Sequence, residues 1–390
     1  MNKADRMQPL TERIVALDAL RGAALFGVLL VNLESDFRVS LFQKMLTPHT
    51  HAGWLNYATD LLVAGVFEFK AFTLFSFLFG VGVAIQTERM AANVTGFLLR
   101  RFAVLLAIGL CHMLLIWNGD ILTLYAVCGL LLIPLVKLPV RWLAALGIAL
   151  ILLAPRLTIF WIFSPPQEDV VAHAAVATRV YATGGFAEIM QLRWHEAWRF
   201  IAPLLIGSLP RTFGLMLCGL TAWRGGACAD SSKQRIWLKR FCLIAGGLGA
   251  LTTAAQLWAN ETKQSLPGVL NLFTPYAVVL LTAAYGAGLW LWLSRTQTKW
   301  VRGLAAGGRM ALSNYLMQSV VFSLIFYGFG LGLFGQLGSA VAALLGVAVF
   351  GLQLFLSDWW LRRRSFGPAE WLWRSLTYGK LPRRPITQSF

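Results

Sequence analysis

Long apolar runs recur along the whole of the 390-residue chain, and each is about as long as a membrane-spanning helix. A helix needs about 20 predominantly apolar residues to cross a bilayer. The runs are continuous, whereas the strands of a membrane barrel alternate apolar and polar residues. The pattern therefore predicts an all-α, polytopic transmembrane helical bundle in a single domain. We expect about ten spans, at about 14–33, 71–87, 102–117, 121–136, 142–163, 204–223, 238–258, 271–293, 309–331 and 338–361.

Three segments outside these spans are also predicted to have structure. Residues 54–69 are apolar enough for a further span, but that span would move Arg89 and Arg101 to the outer side if the N-terminus stays inside. We therefore expect residues 54–69 to lie along the outer interface or to fold partway into the bilayer. Residues 164–203 predict either a folded outer cap or a solvated linker, and residues 362–390 predict a cytoplasmic interfacial tail.

The composition supports the same class, with 57% hydrophobic and 13% charged residues, against about 25% charged residues in soluble domains. The net charge of +17 could indicate a nucleic-acid partner, but the positions of the charges exclude that interpretation. With a cytoplasmic N-terminus, 24 of the 34 lysines and arginines fall on the cytoplasmic side, which is the positive-inside rule. We therefore attribute the basic charge to membrane topology and expect both termini to be cytoplasmic. The lipid bilayer is then the expected partner.

Polar residues inside the first span are the first candidates for chemistry. A charge at the centre of a membrane helix costs about 2.5–3.5 kcal/mol on insertion scales. Asp18, Arg21 and Asn32 follow a spacing of three to four residues and share one helix face. They predict either a structural Asp18–Arg21 pair near the headgroups or a polar stripe along an interior site. In the second case Arg21 could bind a phosphate or a carboxylate.

The third and fourth spans carry a second candidate, in the stretch CHMLLIWNGDILTLY. His112 is the only histidine predicted inside the membrane, and Asp120 follows it by about two helical turns. A lone helical histidine is most often a packing residue, and the functional interpretation is a general base oriented by Asp120. Asp120 could equally cap the fourth span. Asn118 and Tyr125 in the same stretch are candidate substrate contacts.

Other polar residues in or beside the spans are candidates for substrate binding, each with a plain structural alternative. Lys70 could reach to the interface, while Asn314 and Gln318, four residues apart, could hold two helices together. No metal site and no permanently bound cofactor are expected. The further candidates are Lys70, Ser76, Arg211, Arg309, Asn314 and Gln318.

The sequence resembles the YeiB-like family of uncharacterised bacterial inner-membrane proteins, also called domain of unknown function 418. The resemblance lies in five ordered stretches, LDALRGAALFGVLLVNL, KAFTLFSFLFGVGV, WNGDILTLY, GRMALSNYLMQS and GPAEWLWRSLTYG. It runs from about residue 13 to residue 380 and implies a multi-pass protein of the inner membrane. The family is in turn similar to the transmembrane acyltransferase superfamily, whose members transfer an acyl group from cytoplasmic acyl-CoA to an acceptor outside.

The similarity to that superfamily implies roles for particular residues. In its sugar O-acetylating branch, an arginine of the first helix is followed eleven residues later by an essential histidine. Arg21 matches the arginine and would contact the acyl-CoA, but Asn32 stands at the histidine position, and an amide cannot act as a general base. Asn32 would then be a polar ligand near the acceptor, and His112 is the best-placed base.

Three functions are compatible with the sequence at this point. The first is a membrane acyltransferase that takes acyl-CoA as donor and a glycan, a lipid or a small metabolite as acceptor. The second is a transporter of a small anionic or amphiphilic metabolite that uses the same polar stripe as its path. The third is a structural membrane protein without catalytic activity.

Overall fold

The computed structural model describes residues 8–46, 53–90, 93–156, 166–227, 232–296 and 298–379. Within these ranges the chain is helical and contains no β-strand, which confirms the predicted all-α class. We number the α-helices in chain order as α1 Gln8–Asn32, α2 Leu41–Leu46, α3 Trp54–Leu62, α4 Lys70–Arg89, α5 Val94–Leu115, α6 Leu122–Leu132, α7 Val140–Leu153, α8 Gln167–Thr183, α9 Phe186–Glu196, α10 Ala202–Arg224, α11 Ser232–Thr262, α12 Gly268–Leu293, α13 Lys299–Arg309, α14 Ala311–Phe326, α15 Ser339–Leu361 and α16 Pro368–Tyr378.

Apolar helical stretches recur often enough to make this a multi-pass membrane protein. Those long enough to cross a bilayer are Val15–Phe37, Trp54–Arg89, Val94–Leu115, Phe186–Arg224, Lys233–Thr262, Leu270–Leu293 and Ser339–Leu361. Shorter apolar helices are Leu122–Leu135, Val140–Leu153 and Ala311–Phe326. Each predicted span overlaps one of these stretches, in agreement with a polytopic bundle. Parts of three predictions lie outside the described residues, namely 157–163 of the fifth span, 164–165 of the cap and 380–390 of the tail.

Residues 54–69 belong to a broken helix that continues into the second predicted span. After α3 and a short π-helical turn, the chain bends at Phe69, whose φ of 57° lies in the left-handed region, and α4 then begins. The ammonium group of Lys70 donates to the carbonyl oxygen of Ala64 at 2.8 Å and thereby bridges the break. Thr282 of α12 donates to the carbonyl oxygen of Lys70 at 3.3 Å. Lys70 therefore has a structural role in the break.

α1 lies inside the bundle, in contact with α4, α12, α13, α14 and α15. Two glycines permit its tight packing against α13. A Cβ atom at Gly308 would overlap the carbonyl oxygen of Asp18, and one at Gly22 would overlap the carbonyl oxygen of Leu304. Small residues let the backbones of membrane helices approach each other closely. This packing sets the first half of α1 beside Arg309 at the end of α13.

The two ends of the bundle differ in shape and composition. At one end, which we call the basic end, α4 finishes at Arg89, α5 begins at Val94, and α16 packs against α5 and α14. At the other, which we call the cap end, α8 and α9 fold together beside the end of α5. Tyr181 of α8 and Ile189 of α9 are buried there. The described part of residues 164–203 is thus a folded cap.

Candidate functional site

A cavity of about 230 Å³ lies at the basic end, with walls from α1, α4, α5, α6, α13, α14 and α16. Four arginines line it, namely Arg21 of α1, Arg101 of α5, Arg309 of α13 and Arg374 of α16. Among the described residues, Glu370 is the only carboxylate in the lining. A concave site lined by charges of one sign attracts ligands of the opposite charge. The cavity therefore suits an anionic ligand.

Packing interactions hold these guanidinium groups in place. Arg21 donates from Nη1 to Oδ1 of Asp18 at 2.7 Å, and Gly82 of α4 leaves room for its other nitrogen. The guanidinium carbon of Arg101 lies 3.6 Å from the ring centroid of Trp373, whose indole N–H donates to the carbonyl oxygen of Arg101 at 2.9 Å. In the part of the chain that the structure describes, Arg21 is the only one of the four with an ion pair. No ion pair in the described residues therefore offsets the positive charges of the other three arginines.

Glu370 can offset at most one of the four positive charges, and its carboxyl group is engaged at the start of α14. It accepts hydrogen bonds from the backbone amides of Leu312 at 2.7 Å and Ser313 at 3.1 Å, and from the Ser313 hydroxyl at 2.5 Å. A carboxylate is a favourable group at a helix N-terminus. Burial raises the pKa of Glu370, and the hydrogen bonds from Ser313 act in the opposite direction. Glu370 thus fixes α16 against α14.

Away from the arginines, the lining of the cavity is mostly aromatic and aliphatic. Phe75 and Phe79 of α4 pack against Tyr125 of α6, with ring centroids 6.0 and 5.2 Å from it. The hydroxyl groups of Tyr125 and Ser76 lie 2.9 Å apart, so Ser76 stands behind the wall and holds Tyr125 in position. Tyr315 of α14 lines the same region. The result is an apolar throat that suits a flexible, largely uncharged chain.

His112 and Asp120 form a buried pair close to this throat. Nδ1 of His112 lies 2.8 Å from Oδ1 of Asp120, and their side chains are 1% and 0% exposed. The second carboxylate oxygen, Oδ2, accepts a hydrogen bond from the backbone amide of Thr123 at 2.7 Å. Gly109 permits this close approach of α5 and α6, because a Cβ there would crowd the Thr123 nitrogen and Oδ2 of Asp120. Asp120 therefore both orients the imidazole and caps α6.

The pairing decides which histidine nitrogen is available for chemistry. Since the Asp120 carboxylate accepts a hydrogen bond from Nδ1–H, Nε2 of a neutral His112 carries the free lone pair. Nε2 is buried and has no hydrogen-bond partner among the described residues. A buried imidazole held by a carboxylate, with its other nitrogen free, has the arrangement of a general base.

Tyr315 connects the cavity to this pair. Its ring lines the cavity, and its centroid lies 5.2 Å from that of His112. Its hydroxyl accepts a hydrogen bond from the backbone amide of Ile121 at 3.3 Å, and Ile121 also lines the cavity. His112 therefore stands directly behind the Tyr315 wall.

On the far side of the pair, the loop from α5 to α6 meets a polar cluster of the cap. Asn118 donates to the Tyr181 hydroxyl at 3.2 Å and to Oε2 of Glu196. Tyr181 donates to the same oxygen at 2.5 Å, and Nε2 of His173 lies 2.7 Å from Oε1. The indole ring of Trp117 packs against His112, and the two ring centroids lie 6.2 Å apart. The pair thus separates a basic cavity from a polar cap.

Comparison with known proteins shows where the chain belongs. The family model for a protein of unknown function, DUF418, matches residues 222–380. The chain is 33% identical to the uncharacterized protein YxaH of Bacillus subtilis over 97% of the chain and 96% of that protein. The chain belongs to the DUF418 family. It is also 29% identical to the uncharacterized protein YeiB of Escherichia coli, over 94% of the chain and 96% of that protein.

The matched region of this DUF418 protein supplies part of the site. Residues 222–380 contain Arg309, Glu370 and Arg374 of the cavity, together with Tyr315. The buried pair and Arg21 precede that region and lie within the full-length similarity to the Bacillus subtilis relative. Both sides of the candidate site thus fall within one family likeness. The names of these two relatives describe no activity.

Two of the predicted substrate residues hold α14 to α15 instead of lining the cavity. Asn314 donates to the Ser357 hydroxyl at 3.0 Å. Gln318 donates to the side-chain oxygen of Gln353 at 2.8 Å. Hydrogen bonds between polar side chains commonly join membrane helices. Asn314 and Gln318 therefore have the structural role that the sequence left as their alternative.

The polar stripe predicted on α1 does not run unbroken to Asn32. Arg21 lines the cavity, whereas Asn32 is half-buried at the end of the helix and lies outside the lining. Arg211 of α10 also lies away from the cavity, with its guanidinium carbon 5.7 Å from the ring centroid of Phe69. Both residues are therefore separated from the candidate site, as is Lys70.

The sequence patterns missed several residues that build the site. The sequence assigns Arg101 only to the positive-inside pattern, and it places Arg374 in the predicted interfacial tail 362–390. Tyr315 adjoins a predicted residue, Asn314, but one position along a helix changes the direction of a side chain by about 100°. Glu370 follows Gly367–Pro368 in the first turn of α16, where an acidic residue is an ordinary helix signal. No feature of the neighbouring sequence indicates that any of these residues lines a cavity.

Proposed function

We propose that this protein is a membrane acyltransferase that moves an acyl group from acyl-CoA, bound at the basic end, to an acceptor that reaches His112 from the cap end. One observation carries the proposal. The His112–Asp120 pair, with Nε2 free, lies directly behind the Tyr315 wall of a cavity lined by four arginines.

The positive-inside rule supports a cytoplasmic basic end. That end carries Arg89, Arg101 and Arg374, and the run Arg362 to Arg364 follows α15 on the same side. In a bacterium this orientation implies the inner membrane, with the cap outside and the cavity open to cytoplasmic acyl-CoA.

The donor and the cavity match in charge and in shape. CoA carries a pyrophosphate and a ribose phosphate, and arginine binds phosphate oxygens through two parallel hydrogen bonds. Its pantetheine arm is a flexible, nearly uncharged chain, which suits the throat between Phe79 and Tyr125. The volume of about 230 Å³ is below the ~300–1,000 Å³ of pockets that enclose a whole ligand. The nucleotide would therefore lie at the mouth, among the arginines.

The proposed reaction uses His112 as base and then as acid. Nε2 takes the proton of an acceptor hydroxyl or amine while that group attacks the thioester carbonyl carbon. The tetrahedral intermediate collapses, the carbon–sulfur bond breaks, and the CoA thiolate leaves with the proton from His112. Asp120 stabilises the imidazolium that exists between the two transfers. Tyr315 must yield its position to admit the thioester, because its ring stands between the cavity and the base.

The test uses membrane vesicles and labelled donor. Inside-out vesicles that contain the wild-type protein receive radiolabelled acetyl-CoA, and label in lipid or lumenal products is measured. His195→Gln is the matched control, because His195 is an exposed histidine of the cap. We expect transfer by the wild type and by His195→Gln, and none by His112→Gln. Right-side-out vesicles should transfer no label, because the donor then faces the cap.

Two results would contradict the proposal. Transfer by His112→Gln at the wild-type rate would remove His112 from the chemistry. Absence of transfer with acetyl-CoA and with longer acyl-CoAs, in vesicles that hold correctly inserted protein, would exclude acyl transfer as the function.

A further inference from the structure

Arg193 of α9 is a buried cation in the cap that lacks an ion pair. Its side chain is 0% exposed. Nη1 donates weakly to the carbonyl oxygen of Leu115, at 3.5 Å. Nε and Nη2 are buried and have no hydrogen-bond partner in the described ranges, where no carboxylate lies within ion-pair distance of Arg193. These two nitrogens form the edge of the guanidinium that binds a carboxylate or phosphate through two parallel bonds.

The nearby carboxylates are turned to other donors. Glu196 follows Arg193 by one helical turn, but Oε1 is engaged by His173, and Oε2 by Tyr181 and Asn118. The Asp36 carboxyl, which follows α1, faces the backbone amide of Leu41. Both carboxylates influence Arg193 only through space. Carboxylate oxygens thus lie near Arg193, but none of them accepts a hydrogen bond from its Nε or Nη2.

A structural role explains only part of this arrangement. The contact with Leu115 places a positive charge at the C-terminus of α5, where it is favourable. That contact uses Nη1, and Nε and Nη2 remain without a hydrogen-bond acceptor in the described residues. Burial of guanidinium nitrogens without hydrogen-bond acceptors is unfavourable, so this free edge suits a ligand that brings its own acceptor oxygens.

Other unpaired polar atoms surround the same place. The side-chain oxygen of Asn118 is buried without a hydrogen-bond partner in the described structure. The buried indole Nε1 of Trp117 faces the Asp36 carboxyl and the buried hydroxyl of Tyr327 faces Arg193, neither with good hydrogen-bond geometry. The guanidinium carbon of Arg193 lies 4.9 Å from the ring centroid of Tyr327. Donors and acceptors thus converge on one part of the cap.

We infer that the cap holds a second binding site, in which Arg193 binds the carboxylate or phosphate group of a small molecule. Leu115, which Arg193 contacts, follows His112 by three residues, about 5 Å along α5. A molecule anchored on Arg193 can therefore present a nearby hydroxyl or amine to Nε2 of His112. The anion site stands on its own contacts, whereas its use as the acceptor site rests on the proposed function.

The experiment measures anion binding without any acyl donor. Full-length protein in nanodiscs is titrated with lactate, with glycerol phosphate, with inorganic phosphate and with glycerol, and the thermal unfolding midpoint is followed. We expect at least one anion to raise the wild-type midpoint in a saturable manner, and glycerol to have no effect. Lactate and glycerol phosphate distinguish a carboxylate from a phosphate ligand, and inorganic phosphate tests the anion alone.

Variants assign the binding to one site. Arg193→Lys keeps the charge and loses the two-donor edge, so we expect anion affinity to fall by ~10-fold or more. Arg193→Gln should abolish binding, and Arg199→Gln should leave it unchanged, because Arg199 is an exposed arginine of the cap that is paired with Asp169. Anion binding that Arg309→Gln, in the basic cavity, weakens and Arg193→Lys spares would overturn the inference. A wild-type protein that no anion stabilises would overturn it too, whatever the variants do, since ordered water would then fill the site. Because no donor is present, this result is independent of the test of acyl transfer.

Discussion

One oxygen of Asp120 lies 2.8 Å from Nδ1 of His112, while the other accepts the amide hydrogen of Thr123 in the first turn of α6. The same carboxylate thus fixes an imidazole and starts a helix. The two functions can be separated by choice of the substituted side chain.

We predict that Asp120→Asn lowers acyl transfer by ~10²–10⁴-fold with little loss of stability. Its amide oxygen can still cap α6, but its NH₂ would donate to Nδ1 of His112 and force the proton onto Nε2. Asp120→Ala should show the same loss of transfer and a further ~1 kcal/mol of destabilisation, since the cap is lost. Rates and thermal midpoints of both variants check this. Equal midpoints for the two variants would exclude the capping role.

The unpaired arginines of the cavity should dominate donor affinity. We predict that Arg374→Gln and Arg309→Gln each weaken CoA binding by ~10-fold and reduce its dependence on salt, because each removes a charge that meets a phosphate. Arg362→Gln is the matched control, since Arg362 is exposed and paired with Asp358. Binding of labelled CoA to protein in nanodiscs measures the effect. Equal loss in the control would mean that only net charge matters.

Glu370 gives a pH-dependent prediction. Burial raises the pKa of Glu370 above its ordinary value of 4.5, so the folded protein favours the protonated form. As the pH rises above 4.5, ionisation of Glu370 lowers the free energy of unfolding. This decrease continues until the pH passes the raised pKa of the folded protein. The thermal unfolding midpoint of Glu370→Gln minus that of the wild type should therefore increase from pH 4 to neutral pH. A constant difference across that range would contradict the raised pKa.

The contact between α1 and α13 predicts a strong steric effect. In Gly308→Ala the new Cβ would overlap the backbone of Asp18, so the helices must separate and Arg21 must move. We expect ~2 kcal/mol or more of destabilisation, as overpacking produces in other interiors. Gly351→Ala is the control, because no atom lies within 4 Å of its Cβ position. Thermal midpoints of the two variants decide the matter, and similar values would argue against tight packing at Gly308.

The helices and the buried pair are predictable from sequence for a physical reason. A bilayer demands about 20 apolar residues from each span, so hydropathy marks spans directly. His112, in the last turn of α5, and Asp120, in the short loop before α6, are eight residues apart. Local connectivity therefore restricts them to neighbouring positions.

Contacts between distant segments escape that reasoning. Arg101 and Trp373 are 272 residues apart, and neither residue type indicates the other. Arg193 occurs in a polar stretch where a solvated arginine is ordinary, and only the fold shows that it is buried. Asn32 follows the helical spacing of Arg21, yet the cavity ends before it. Periodicity predicts a shared face and does not predict how far a cavity extends along it.

α16 has a consequence for biosynthesis. It supplies Glu370, Trp373 and Arg374 to the cavity, and within the described residues every apolar stretch long enough to cross a bilayer precedes it in the chain. The other walls of the cavity are therefore synthesised before α16. A chain cut before Gly367 would keep all of those stretches and would lack the cavity wall that α16 provides. Completion of the site is thus separable from insertion of the spans.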